Sequence, residues 1–413
     1  MTDQVRQITQ CRACQSGNLE EVLDLGVHWI SAFYKSREEG EAHGHRAPLL
    51  LMVCKDCWLV QLAHTAPPDW LYRNFWYKSG ITQTMRDVLK GIADKATDIA
   101  QLQSGDYVCD IGANDGTLLR FYDKSFARLG FEPALNLSEE ARGGGNVIFP
   151  DYFHAIDGME NSVKVITAVA MFYDLDDPMN FLHDVRTMLH HDGVFVIQMN
   201  YLLTMLQDTA FDNIGHEHLC YYSLTSLIPM LHRAGLHVEK VSLNDVNGGS
   251  IQFWCRKGMG REPNDDIATL MALEGEMGLD TLEPYAKFAE RVEVTGNQIR
   301  IRLAQYPPEK IYICGASTRG STILQTYGIN FARVAGAGER DPRKIGMVMA
   351  GTWIPVVAEE EARKKADIQL VLPYHFKKEI VERESAYLER GGKLLFPLPV
   401  PTVVSEAMIG ARL

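Results

Sequence analysis

The chain has 413 residues, 46% of them hydrophobic and 23% charged, and a formal net charge of −12. That length exceeds one ordinary hydrophobic core and predicts two or three domains, and the composition excludes a disordered or fibrous chain. The acidic balance argues against a binder of nucleic-acid backbone, which needs a dense basic face, yet leaves room for a small basic pocket for a phosphorylated metabolite.

The N-terminus is polar and runs straight into cysteines, so no signal peptide is expected. No apolar stretch reaches the length of a bilayer span, and no membrane partner is expected. Eight cysteines in a chain this long do not make a disulfide framework; reduced thiols and a cytoplasmic location follow. Cys11 and Cys14 form one C-x-x-C pair and Cys54 and Cys57 a second. Two such knuckles supply four soft thiolates, the set of a structural, tetrahedral zinc site with no open position for catalysis. The alternative is four ordinary free cysteines; the short polar turns around both pairs favour the metal. Cys109, Cys220, Cys255 and Cys314 sit in apolar settings and read as packing residues.

Residues 106–119, DYVCDIGANDGTLL, read as a buried parallel strand over Tyr107 to Ile111, a glycine turn and a helix opening near Thr117. Gly112 and Gly116 bracket the turn at the carboxyl end of the strand, where open α/β sheets bind ligands. A dinucleotide site would want G-x-G-x-x-G; this loop is G-x-N-x-G. Asp110 and Asp115 are poor neighbours for a pyrophosphate and suit the cationic amino-acid end of S-adenosylmethionine. Glu132 follows the next strand at about the spacing at which an acidic residue accepts from ribose hydroxyls. Asp151 and Phe153 are placed to flank the adenine, or are merely a loop and a core residue. Val163–Ala170 reads as the fourth strand, Pro178 starts the next helix, and LHHDGVFVIQ gives a helix end, a turn and a strand. Another nucleotide-binding Rossmann domain is the competing reading.

The densest polar cluster is FDNIGHEHLCYYS. It is not an H-E-x-x-H zinc site, because Cys220 stands where the second histidine would be. A His-x-His metal site or a hydrogen-bonded structural loop remain open. Beyond VNGGS, where Asn247 begins a glycine turn that approaches the substrate, residues from about 262 to 305 have helical spacing. Pro307 and Pro308 end that run. KIYIC then leads into GASTRGSTIL, a second glycine loop opening a helix, whose N–H groups can hold a phosphate with Arg319 adding charge. Asp341 falls near a later strand end, and further strand-like runs complete a second Rossmann-like unit. A degenerate duplicate without ligand is the alternative.

CRAC…CKDC, DIGANDG, EHLCYYS, NGGS and the late GAS-x-x-G, in this order over essentially the full length, resemble the sugar C-methyltransferase family. The resemblance implies an α/β fold in three parts: a zinc-binding module over 1–70, a class I methyltransferase Rossmann-like domain over 71–257, and a C-terminal Rossmann-like substrate domain over 258–413. It implies S-adenosylmethionine and structural zinc as cofactors, a nucleotide-linked keto-deoxysugar as small-molecule substrate, and a monomer. The cofactor residues are then Asp110, Gly112, Asn114, Asp115, Gly116, Glu132, Asp151, Phe153 and Met171. The substrate residues are Lys78, Ser79, Asn200, Tyr201, Asn247, Gly315, Ser317, Arg319 and Asp341.

A sugar carbon becomes nucleophilic only when a proton beside a ketone is removed, which needs a base near neutrality and a donor for the enolate oxygen. His218 is the expected base, oriented or charged by Glu217, with His216 and Tyr222 as secondary candidates. Tyr77 falls where the family has an active-site tyrosine, or else it covers the cofactor. The chain departs from the family at Gly215, where a tyrosine is common, and at Tyr173 and Asp174, where a histidine is common. These departures bear on the acceptor atom. Methylation at oxygen or nitrogen of a related sugar nucleotide, or of another small phosphorylated metabolite, is the alternative. A cofactor-fold scaffold without turnover and a nucleic-acid methyltransferase are more distant ones.

Overall fold

Short apolar runs that end in glycine or a carboxylate, each leading into a helix, dictate parallel strands covered on both faces. The structure, a computed structural model, describes residues 4–72, 78–80, 82–258, 260 and 263–408. The chain divides into two compact units, each drawn from separate stretches. One comprises Met1–Glu21, Leu51–Leu203 and Glu217–Leu282; the other comprises Val22–Leu50, Thr204–His216 and Glu283–Leu413. The division in space thus differs from the division along the sequence. Residues 22–50 and 204–216 fold with the C-terminal stretch, and 258–282 fold with the central one.

The first unit is built on a seven-stranded sheet. Its strands are β1 (Tyr107–Ile111), β2 (Ala127–Phe131), β3 (Val147–Phe149), β4 (Val163–Val169), β5 (Leu189–Asn200), β6 (Leu236–Asn244) and β7 (Ser250–Lys257). Their order is β6-β7-β5-β4-β1-β2-β3. β1 lies parallel to β2 and β4, and only β7 runs antiparallel to its neighbours β5 and β6. The order reverses between β1 and β4, so ligands are expected at the carboxyl ends of these two strands. That is where the glycine turn and Met171 fall.

Helix α1 (Gln83–Ala100) covers one face because its apolar residues recur every three or four positions. Leu89, Ile92, Ala93, Ala96 and Ala100 are buried in one cluster with Val108, Val165, Val194, Val196 and Trp254 of the sheet. The Thr82 hydroxyl caps its start by accepting from the Met85 N–H. Each fully buried Leu or Ile contributes about 1.5–3 kcal/mol. Helix α2 (Thr117–Phe121) starts at the expected residue, and α3 (Pro178–Met188) opens on its proline with Asp177 as cap. The Asp192–Gly193 turn expected before β5 is instead a bulge inside that strand. Val163 pairs with Leu189 while Val165 pairs with Val194. Gly193 fits there because a Cβ would come within 3.0 Å of the Lys164 carbonyl.

The helical stretch expected over 262–305 is two helices, α5 (Asp265–Met277) and α6 (Glu283–Leu303), preceded by α4 (Leu224–Arg233). Buried Glu274 on α5 caps α4, accepting from the Leu224 and Thr225 N–H groups at 2.7 and 2.8 Å. The second unit contains a six-stranded sheet of β8 (Ile311–Cys314), β9 (Gly336–Glu339), β10 (Val356–Ala358), β11 (Ile368–Val371), β12 (Lys393–Phe396) and β13 (Thr402–Val404). Its order is β10-β9-β8-β11-β12-β13, parallel except for β13, and helix α7 (Gly320–Thr326) follows β8. This is the second Rossmann-like sheet anticipated from the sequence. No helix among the described residues is long and apolar enough to cross a membrane.

Candidate active site

The two C-x-x-C knuckles meet. Cys11 and Cys57 Sγ lie 3.5 Å apart, as do Cys14 and Cys54, and all four sulfurs fall within 4.8 Å of one another. A tetrahedron with Zn–S bonds of about 2.3 Å has edges of about 3.8 Å, so the set fits zinc with little movement. Each knuckle closes in the same way: Gln15 N–H donates to the Cys11 carbonyl and Trp58 N–H to the Cys54 carbonyl, with Gln15 and Trp58 left-handed. Gln61 Nε2 donates to Cys11 Sγ at 3.2 Å, a donor that supports a thiolate ligand. The chemistry is elsewhere, but the module reaches toward it. Buried Arg12 bonds Asp176, beyond β4, at 3.1 Å, and Val60–Leu62 pairs with Cys220–Tyr221, just past His218.

The cofactor candidates converge at the end of β1. Gly112, Asn114 and Gly116 all have left-handed φ, and a Cβ on Gly116 would lie 2.8 Å from Ala141 Cα. A Cβ on Gly112 would come within 3.2 Å of Met171 Cγ, which brings the β1 and β4 ends together. Glu132 accepts from the Asn114 and Ala134 N–H groups, both at 2.7 Å. Asp115 accepts from Gly80 and Thr117 N–H, and the Asn114 side chain accepts from Ser79 N–H. Asp110 accepts from the Thr167 hydroxyl at 2.5 Å. Burial, helped by the charges of Glu132 and Asp115 and opposed by that bond, pushes Asp110 up to about 7. Burial also raises Glu132. Among the described residues only Arg120 approaches these carboxyls, at 3.9 Å from Asp115. Three carboxyls beside a glycine turn, with one cation near them among the described residues, fit a cationic nucleoside better than a diphosphate. Asp151 is exposed, and Phe153 packs on Phe131 and Phe181, each at 5.1 Å.

Of the residues expected to do the chemistry, Glu217 and His218 fall in one cluster of the first unit. The Tyr173 ring stands edge-on to His218 at 4.4 Å, and Tyr72 Oη donates to the Glu217 carbonyl at 3.1 Å. Burial raises Glu217, and burial followed by the charge of Glu217 raises Asp174 well above the carboxylate range. His216 is not part of this cluster. It belongs to the other unit, buried with Nε2 3.0 Å from the Ala47 carbonyl, and burial drives it down to about 4. Tyr222 is a core residue, its ring 5.1 Å from Phe172. Tyr77 lies outside the described residues. Tyr72 and Thr167 were not singled out in the sequence, and Asp174 entered only as a departure from the family pattern; Asp174 and Thr167 lie near the end of the fourth strand, which was the available signal.

Several substrate candidates carry framework bonds. Tyr201, expected at the acceptor, is buried and donates to Glu274 at 2.7 Å. Arg319, expected on a phosphate, is bound to Asp212 at 2.5 Å, and Tyr374 donates to the same carboxylate. Lys78 pairs with Glu140 and Asp341 with Arg343, and the Ser317 hydroxyl accepts from Gly320 N–H at the start of α7. Gly315 turns the chain after β8 with φ 84°. Asn200 ends β5 opposite Ser250, and Asn247 is left-handed in the turn before β7.

Three domain families match the chain. Residues 11–72 match the "Putative zinc binding domain", 82–241 the "Methyltransferase domain" and 245–399 the "C-methyltransferase C-terminal domain". C-methyltransferase NovU of Streptomyces niveus is 29% identical over 98% of this chain and 99% of its own length. Among solved structures, YcgJ of Bacillus subtilis (13% identity, 42% of this chain, 99% of its own, TM-score 0.35) is similar. So is 1,6-didemethyltoxoflavin-N1-methyltransferase of Burkholderia thailandensis (14%, 42%, 80%, 0.34), though likeness at these scores is slight. The fold, the carboxyl-lined glycine turn and the matched domains make this chain an S-adenosylmethionine-dependent methyltransferase with a structural zinc site. More particularly, the three matched domains and the full-length similarity to C-methyltransferase NovU support a sugar C-methyltransferase family.

Proposed function

We propose that the acceptor is a nucleotide-linked keto-deoxysugar and that methylation occurs at the carbon beside its ketone. The observation that carries this reading is the cluster of His218, Glu217, Tyr72, Tyr173 and Asp174, whose members after β4 stand next to Met171 at the cofactor turn. S-adenosylmethionine supplies an electrophilic methyl group on a sulfonium. Asp110, Asp115 and Glu132 hold its cationic and ribose ends. Neutral His218 takes the proton from the acceptor carbon, Glu217 stabilises the imidazolium that forms, and a neighbouring donor holds the enolate oxygen. In the C-terminal stretch Arg319 fixes the Gly315–Ser317 turn through Asp212. The full-length similarity to a C-methyltransferase, NovU, and the base-and-carboxyl cluster both support transfer to carbon over oxygen or nitrogen.

The test is solvent exchange. With S-adenosylhomocysteine bound and a nucleoside-diphosphate-linked 4-keto-6-deoxyhexose in deuterium oxide, the carbon beside the ketone should take up deuterium, and His218→Ala should stop it. Methylation of such an acceptor without any exchange would favour transfer to oxygen or nitrogen.

A further inference from the structure

The segment after β4 ends in a single helical turn, Phe172–Asp174, and two of its three side chains meet the proton-handling cluster. Tyr173 packs on the His218 ring at 4.4 Å. Asp174 follows it, with its Oδ1 buried and accepting no hydrogen bond among the described residues. Among the described residues, the titratable groups that act on Asp174 are Glu217 and Tyr72, and Tyr72 is in turn faced by Tyr152 and Tyr173. None of these is a cation. A buried carboxylate oxygen without a donor or a positive neighbour is unfavourable, whereas a protonated carboxyl brings its own donor.

We propose that Asp174 is a further catalytic residue of the methyl-transfer site: a neutral carboxyl that donates a hydrogen bond to the oxygen on which charge develops. The proposal rests on the reaction read above. A His218 ring nitrogen removes the proton from the carbon beside the ketone. The C–H electron pair becomes the carbon–carbon double bond, and the carbonyl π pair moves onto oxygen. The Asp174 O–H holds that oxyanion without giving up its proton. The enolate carbon then takes the methyl group, the S–C pair stays on sulfur, the carbonyl re-forms, and His218 releases its proton to solvent.

The charge of Glu217 acts to keep the proton on Asp174, and a buried carboxyl that also faces a carboxylate is hard to ionise near neutrality. Burial and Glu217 both act in that direction on Asp174, and burial raises Glu217 as well. Asp174 does for the oxygen what the Glu217–His218 pair does for the carbon.

Two measurements test this on the full chain. Infrared titration of the protein without acceptor should show a protonated-carboxyl band at pH 7 that disappears in Asp174→Asn. With the 4-keto-6-deoxyhexose probe and S-adenosylhomocysteine, solvent exchange should fall about 100-fold in Asp174→Ala, the cost of one lost oxyanion donor. Asp174→Asn, whose amide still donates, should keep most of the rate and lose the alkaline limb of the pH profile. Cofactor affinity within twofold of the parent certifies the fold of both variants. The absence of a difference band at pH 7, or exchange in Asp174→Ala within twofold of the parent, would overturn the proposal. If the parent itself exchanges nothing, the acceptor assignment fails, and the infrared band alone decides whether Asp174 holds its proton.

Discussion

Replacing Asp110 with Asn should stabilise the cofactor-free protein and remove a specific pH dependence. Asp110 is buried at the end of β1 with one hydrogen bond, from Thr167, and two carboxylates nearby. Its folded-state value of about 7 lies well above the unfolded value. A raised carboxyl contributes its full share of stability below the unfolded value, and that share is lost as pH rises through the folded one. The loss is on the order of 4 kcal/mol in full, and about 2.5 kcal/mol of it develops between pH 5 and 8. Asn keeps an acceptor for Thr167 and cannot ionise. Thermal melts of the cofactor-free protein at pH 5 and 8 should therefore show a fall in the parent that is smaller in Asp110→Asn. The parent should recover the loss when S-adenosylmethionine binds, because the cationic ligand compensates the carboxylate, and the variant should bind the cofactor more weakly. Parallel pH dependence in the two proteins would refute the reasoning.

Removal of zinc by a strong chelator should lower the melting temperature and, because Arg12 and Val60–Leu62 brace the segments on either side of the cluster, abolish turnover in step with unfolding. Reversible inhibition at unchanged stability would instead place the metal in catalysis. Glu132→Ala should weaken cofactor binding at least tenfold by calorimetry and cost about 1–3 kcal/mol of stability, since two buried N–H groups lose their acceptor. His218→Ala should lower turnover by about 100-fold or more while cofactor affinity stays within twofold. Arg319→Met should destabilise the protein by about 3–5 kcal/mol, because Asp212 is left buried without its cation, held only by the Tyr374 hydroxyl among the described side chains. Adding Asp212→Asn should restore most of that loss, whereas a diphosphate-binding Arg319 would show a raised KM that the second substitution leaves in place.

The glycine turn after β1 was legible because it is a local pattern: a short apolar strand, two glycines with left-handed φ, and carboxylates at fixed offsets. The zinc knuckles were legible for the same reason, since Cys11, Cys14, Cys54 and Cys57 declare themselves by spacing. What stayed hidden depends on partners distant in sequence. Nothing around Arg319 indicates that Asp212 will claim it, and nothing near Tyr201 announces Glu274, buried on a helix read only as amphipathic. His216 and His218 look equivalent in H-E-H. Yet the chain passes from one compact unit to the other just after His216, so only His218 joins Glu217. The strand bulge at Gly193 was read as a turn because a D-G pair commonly makes one, and only the pairing of β4 with β5 reveals the continuous strand. Asp174 was visible as a departure from the family pattern, but its environment of Glu217 and Tyr72 is tertiary.

The central claim is methyl transfer to carbon of a nucleotide-linked keto-sugar. Its most direct test is mass spectrometry after incubation with methyl-labelled S-adenosylmethionine and a panel of nucleotide-linked 4-keto-6-deoxysugars. The account predicts a product heavier by one labelled methyl, with fragmentation placing the label on the carbon beside the ketone. Label found on oxygen or nitrogen, or cofactor binding with no product across the panel, would contradict it.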